Sequence, residues 1–186
     1  RYTITYDLDG ALVINPDKYT VETDSFTLNN PVKPGYSFSG WTGSNGDALQ
    51  TRVTIEKGTT GNLSFTANFS ANEDIPYKVI HKYKNLDGDG YSEEVTEDLV
   101  GTTDSTVRPA ALTKTGFENP ELQDLVITAD GDATLEYIYE RKEFTLSYTD
   151  DVIASKPQGT YKYGTPVTIS AKEKTRLHTF MPAIIK

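Results

Sequence analysis

Three stretches of this 186-residue chain open in the same way: YTITYDLDG from Tyr2, YKVIHKYKNLDG from Tyr77 and FTLSYTDD from Phe144. Their starts stand 75 and 67 residues apart. Each stretch alternates. Tyr2, Ile4, Tyr6 and Leu8 fall on one side, Thr3, Thr5, Asp7 and Asp9 on the other, and Phe144, Leu146 and Tyr148 repeat the scheme. Successive side chains of an extended chain point to opposite faces, so this period of two predicts a half-buried strand. The Asp-Gly or Asp-Asp at its end predicts a turn. A pattern that recurs along the chain predicts several small sheet-built modules in series, and it argues against one large core.

Further strands fill the intervals. SFTLNN and YSFSGW are separated by NPVKPG, whose prolines and glycine interrupt the run. TRVTIEKGTTGNLSFTANF reads as a hairpin with EKGTTGN as its loop, placing Val53 and Ile55 against Leu63 and Phe65 on the inner face. DLVITADGDATLEYIYE reads as a second hairpin through ADGD. AALTKTGF and ENPELQDL are each expected to form a turn or two of helix. The expected modules are 1–75, 76–142 and 143–186, joined by the short segments SANEDIP and ERKE, with the third an incomplete repeat. Arg1 in place of an initiating Met points to a piece of a longer protein.

Composition narrows the function. Hydrophobic residues make up 36% of the chain, mean hydropathy is −0.50, and there are 12 tyrosines, which suits thin cores where a ring packs and a hydroxyl reaches water. Cysteine is absent, which removes disulfides and thiolate chemistry and fits an extracellular protein of a Gram-positive bacterium. No apolar run reaches the length of a membrane span, so no membrane insertion is expected. A net charge of −9 argues against nucleic acid as a partner. Residues 76–142 hold 14 acids against 7 bases and carry most of that charge.

The motifs YTITYDLDG, FTLNNPVKPGYSFSGWTGSNG and VTIEKGTTGNLSFTANF, in that order, make residues 2–69 resemble an internalin-type B-repeat, the Listeria–Bacteroides repeat. Phe69 departs from the pattern, which usually ends in Trp. Through YKVIHKYKNLDGDGY, GTTDSTVRPAALTKTGFENP and ADGDATLEYIYERK, residues 77–142 resemble the mucin-binding-protein-like repeats that often accompany it. Residues 143–175 look like the opening of another such repeat. The resemblance implies a mainly β fold of tandem, β-grasp-like (ubiquitin-like) modules set end to end. It also implies a secreted or wall-attached bacterial location and a stalk or adhesion role. It carries over no catalytic residue.

The candidate sites are few. Trp41 lies among the four glycines of GYSFSGWTGSNG and is read as the core anchor of a small module; an exposed sugar platform is the other reading, which makes Trp41 a candidate ligand contact. Asn85, Asp87, Asp89 and Gly90 match the first half of a calcium loop, but the closing glutamate falls one residue late at Glu97 and no helix flanks it. A hairpin turn is the favoured reading there, with Asp87 and Asp89 as weak metal candidates. His81 shares a face with Tyr77, Val79 and Tyr83 and reads as a packed histidine; His178 is isolated. The Thr-rich GTTGN and GTTDSTV read as solvated faces. The sequence holds no nucleophile elbow, phosphate loop or paired histidine motif, so no enzyme and no cofactor are expected. The expected function is a non-catalytic stalk or spacer, monomeric. The alternative is an adhesin module that binds a host glycoprotein or glycan, with a sheet edge as the docking surface.

Overall fold

The computed structural model describes residues 1–173. They form sixteen strands: β1 (Tyr2–Asp7), β2 (Lys18–Tyr19), β3 (Phe26–Thr27), β4 (Tyr36–Gly43), β5 (Gly46–Gln50), β6 (Thr54–Ile55), β7 (Leu63–Ala71), β8 (Ile75–Lys84), β9 (Tyr91–Gly101), β10 (Thr106–Val107), β11 (Leu125–Val126), β12 (Thr134–Tyr139), β13 (Glu143–Leu146), β14 (Val152–Ala154), β15 (Gly159–Lys162) and β16 (Ile169–Ala171). The fold is mainly β, with open sheets and, among the described residues, no helix. The chain divides into two compact units. One gathers Arg1–His81, Val95–Ala111 and Glu121–Tyr137; the other gathers Lys82–Glu94, Leu112–Pro120 and the described residues from Ile138 on.

The first unit is built on a five-stranded sheet in the order β2-β1-β7-β4-β5. At its centre β1 runs parallel to β7, Ile4 opposite Leu63 and Tyr6 opposite Phe65. β2, β4 and β5 are added antiparallel. The inward residues of this sheet, Ile4, Tyr19, Trp41, Phe65 and Ala67, close over Ile55 of the small β3–β6 pair and over Leu28 and Val53 beside it. The alternation read in YTITYD is thus the alternation of burial: Ile4 is buried while Thr3 and Thr5 are exposed.

Two expected hairpins do not form. Val53 and Ile55 do share a core with Leu63 and Phe65, but β6 pairs with β3, and β7 pairs with β1 and β4. Likewise β11 pairs with β10, whereas β12 lies beside β8. Alternation states which side chains turn inward; it does not state which strand they lie beside. The hairpin that forms instead near the tryptophan is β4–β5, closed through Gly43-Ser44-Asn45-Gly46.

β8, β9 and β12 form a three-stranded sheet in the order β12-β8-β9. β8 buries Tyr77, Val79, His81 and Tyr83 on one face, and β12 buries Leu135, Tyr137 and Tyr139. β9 forms an edge and is mostly exposed, with Glu93, Glu94, Glu97 and Asp98 along it. Carboxylates on an edge strand discourage a second sheet from pairing there.

The expected helical turns in 110–124 are irregular instead. Tyrosine hydroxyls supply the hydrogen bonds a helix would have made internally. In the first unit, Tyr137 donates its hydroxyl to the Pro109 carbonyl at 2.7 Å and accepts from Gln123 N–H at 3.3 Å. In the second, the Tyr139 hydroxyl accepts from Leu112 N–H at 2.7 Å. Backbone groups that leave water need partners, and here buried side chains provide them.

The second unit carries an aromatic cluster in which Tyr83 stacks on Tyr139 at 4.4 Å and meets the edge of Phe117 at 5.1 Å. Lys114 lies over Tyr83, 4.4 Å from the ring centre, and pairs with Glu93. The chain from β13 to β16 forms two small antiparallel pairs, β13–β15 and β14–β16.

Candidate functional site

Trp41 stands in the middle of β4 and is fully buried. Phe38 meets it edge-on at 5.4 Å and Phe65 at 6.3 Å, and Tyr6 lies tilted at 5.8 Å. An indole enclosed in this way presents no face to a sugar, so the candidate ligand contact is corrected to a core position. The glycine before it explains the odd neighbourhood. β4 bulges against β7 between Phe38 and Gly40, and a Cβ on Gly40 would stand 2.7 Å from the Gln50 backbone nitrogen. Only a residue without a side chain lets β5 close that tightly beside the tryptophan. Asn68 holds the bulge, its side-chain amide donating to the Gly40 carbonyl at 3.1 Å and to Thr42 Oγ1 at 3.0 Å.

The 85–90 segment joins β8 to β9, and Asn85 N–H donates to the Gly90 carbonyl at 3.0 Å. Asn85 Oδ1 accepts from Gly88 N–H and Asp87 Oδ1 from Asp89 N–H, so two of the acceptors a cation would use already serve the turn. Among the described residues no group of three or more His, Asp or Glu side chains is arranged to hold a metal ion. His81, in the first unit, is fully buried on the predicted face. Its Nε2 lies 3.0 Å from Glu97 Oε2 and its ring 5.7 Å from Tyr137. His178 lies outside the described residues.

The most closely determined polar constellation lies away from every residue that the sequence patterns single out. It belongs to the first unit, where the end of β7 meets the turn after β9. Thr103 is one of two buried polar residues among the described residues, 4% exposed, although GTTDSTV reads as a solvated face. Its hydroxyl donates to the Gly35 carbonyl at 2.7 Å and its N–H to the Asn72 carbonyl at 2.9 Å. Asn72 N–H donates to the same Gly35 carbonyl at 2.9 Å, and Ser37 donates to Asn72 Oδ1 at 2.7 Å. Tyr36 donates to Asp104, and that hydrogen bond, followed by partial burial, raises the Tyr36 phenol above its ordinary range. Ser105 and Asp104 in turn fasten the turn to Ile127 through two backbone bonds of 2.9 Å.

Gly35 is the residue on which this seam closes. Its φ of +75° is left-handed, and a Cβ there would stand 2.5 Å from Ala129 Cβ and 2.9 Å from Thr103 Oγ1. The signal in the sequence was Pro-Gly in NPVKPG, read as a strand breaker when it is also a contact point. A comparable fastening occurs within the second unit at Arg141. Its guanidinium donates to the carbonyls of Lys84 and Tyr163, both at 2.9 Å, and lies 4.9 Å from the Phe117 ring centre. The Lys142 carbonyl accepts from Tyr163 N–H at 2.7 Å, and Lys142 N–H donates to the Gly116 carbonyl at 2.8 Å.

These are arrangements that fix backbone against backbone; among the described residues none places an acid, base or nucleophile around a reaction space. No curated protein and no solved structure matches the chain. The family comparison does find a relative, in the part of the chain that holds Trp41 and nearly all of the five-stranded sheet: residues 2–68 match the Listeria-Bacteroides repeat domain, a repeat found in bacterial surface proteins.

Proposed function

We propose that this chain is a non-catalytic spacer region of a bacterial cell-surface or secreted protein, made of small modules of β-grasp-like topology. The parallel pairing of the first and last strands at the centre of the 2–71 sheet, with antiparallel strands outside, supports that topology. The repeat match favours a surface location and a non-enzymatic role. The observation that carries the spacer reading is the Gly35–Asn72–Thr103 seam. A spacer transmits position only where successive sheets do not swing, and here the peptide after β7 is bonded on both sides, with Thr103 buried over it. Neighbouring sheets joined by a flexible tether would move independently by default. Acidic side chains on the exposed faces add mutual repulsion that keeps such regions soluble and apart.

Backbone 15N relaxation tests this directly. Residues of the five-stranded sheet and of 95–107 should tumble with one correlation time, and Gly35→Leu, which drives a side chain into Ala129 and Thr103, should split it into two. Two correlation times in the unaltered protein would remove the mechanical basis of the spacer.

A second reading, an adhesin module binding a host glycoprotein or glycan, is favoured by one surface. Leu12, Ile14 and Val32 are 80%, 90% and 71% exposed. They sit on loops held by the Leu12–Val32 bridge and by three hydrogen bonds joining Asn15 and Asn29 and their neighbours. An apolar surface held rigid in water suits a partner. Immobilised mucin and a glycan array distinguish the readings: binding abolished by Ile14→Asp supports adhesion, and no binding leaves the spacer.

A further inference from the structure

The fastening within the second unit repeats the seam of the first unit bond for bond. In the seam, Tyr36 N–H donates to the Lys33 carbonyl at 3.1 Å, Asn72 N–H to Gly35 at 2.9 Å and Thr103 N–H to Asn72 at 2.9 Å. In the second unit, Phe117 N–H donates to the Lys114 carbonyl at 3.2 Å, Lys142 N–H to Gly116 at 2.8 Å and Tyr163 N–H to Lys142 at 2.7 Å. A hydroxyl closes each turn. Ser105 Oγ donates to the Thr102 carbonyl at 2.6 Å, and Thr165 Oγ1 to the Lys162 carbonyl at 2.8 Å. The strand pairing agrees, with Tyr36 opposite Ala71 and Phe117 opposite Arg141. So does the backbone: φ is +75° at Gly35 and +85° at Gly116, +59° at Asp104 and +89° at Gly164. KPGY and KTGF are one end-piece, and TTDS and KYGT are one turn.

The side chains that lock the two copies differ, and they differ as sets. In the first copy Tyr36 donates to Asp104. In the second, Phe117 has no hydroxyl and Gly164 no carboxylate, and Arg141 takes over. Its guanidinium lies 4.9 Å from the Phe117 ring centre and donates to the Tyr163 carbonyl at 2.9 Å. The first copy has Ala71 at that place, with nothing to donate. A Cβ on Gly164 would stand 2.9 Å from Arg141 Nη1, so a side chain at 164 and the guanidinium compete for one space.

We infer that this is a matched interaction surface between successive modules, and that its partner is the turn of the module that follows. The match is specified by the set: Tyr in the end-piece with Asp in the turn, or Phe and Arg with Gly. The inference rests on the spacer reading, since only modules in series have ends to match. Backbone bonds common to both copies hold any pair; the side chains tell the right neighbour from the wrong one. A Tyr end against a Gly turn leaves the phenol without its acceptor. A Phe–Arg end against a turn that carries a side chain crowds the guanidinium.

Amide hydrogen exchange on the full chain reads both copies in one experiment. Arg141→Ala should speed exchange at the Lys142 and Tyr163 amides by about tenfold, while the Asn72 and Thr103 amides keep their rates. Adding both Phe117→Tyr and Gly164→Asp installs the first set and should restore the slow rates; either addition alone should not. Asp is suited to the left-handed position, as Asp104 shows. In the reverse transfer, Tyr36→Phe alone should loosen the Asn72 and Thr103 amides, and adding Asp104→Gly with Ala71→Arg should tighten them again. Restoration by the full set in either copy supports the matching. Failure in both copies overturns it, as does restoration by one addition alone or an Arg141→Ala chain with unchanged Lys142 and Tyr163 amides. Relaxation of the unaltered protein reads the spacer separately, so one correlation time with failed transfers removes only the matching.

Discussion

Two regions of the first unit solve the same problem with different aromatic residues. Around Trp41 the core is a closed aromatic stack: Tyr6, Phe38 and Phe65 surround one indole, and the strands carrying them pair along their lengths. Around Tyr137 the ring is as deeply buried, but its hydroxyl fastens an irregular segment through Pro109 and Gln123. The first region draws its stability from ring area, the second from ring area plus a polar tip that replaces secondary structure. Tyrosine outnumbers phenylalanine 12 to 7 in this chain, and that second use is a reason for it.

Substitution separates the two regimes. Trp41→Ala removes the ring that the Phe38, Phe65 and Tyr6 contacts converge on and should destabilise the protein by about 3–5 kcal/mol in urea unfolding, the range for a large aromatic deleted from a core. Trp41→Phe should cost much less, because it keeps an aromatic core and removes an indole N–H that has no hydrogen-bond partner. If the two substitutions cost the same, ring area is not what holds that core. Tyr137→Phe should cost about 1–3 kcal/mol even though the ring stays, because Gln123 N–H and the Pro109 carbonyl lose their partner. Faster hydrogen exchange at the Gln123 amide would locate the loss. Thr103→Val keeps the shape of the seam and removes one hydroxyl donor, for about 1 kcal/mol by the same unfolding assay.

The smallest expected effect is on pH dependence and belongs to the Trp41 side. Burial, with a lesser contribution from Asp17, pushes Tyr6 up to about 12, and burial raises Tyr19 as well. A phenol whose folded pKa lies above its unfolded value keeps the folded state protonated longer than the unfolded one. Its stabilising contribution is complete below about pH 10 and is lost as pH rises toward 12. Unfolding free energy should therefore fall across that alkaline window, and Tyr6→Phe should flatten the fall. A slope that Tyr6→Phe leaves untouched would assign the alkaline limb to other groups.

Much of the interior could be read from alternation. Ile4, Val53, Ile55, Phe65, Tyr77, Val79 and His81 lie buried on the faces that the period of two indicated. The hairpin at 85–90 announced itself through two Asp-Gly steps. The seam could not be read so directly. Thr103 sits in GTTDSTV, where every local cue favours solvent, and it is buried because the chain near Gly35 and Asn72 returns to cover it. Helical turns were expected in AALTKTGF and ENPELQDL, 110–125, and they yield to tyrosine hydroxyls contributed by β12 and to β11, which begins at Leu125.

By itself the sequence determined which side chains face inward, because that property depends only on neighbours along an extended chain. It also determined that the first and third openings are strands of the same alternation, Ile4 in β1 and Leu146 in β13 each turned toward its sheet's covered face. Only the tertiary structure decided which strands are neighbours: β1 with β7, β3 with β6, β10 with β11. Pairing across long separations is selected by the packing of whole faces, and equal alternation in every strand leaves that selection open until the faces meet.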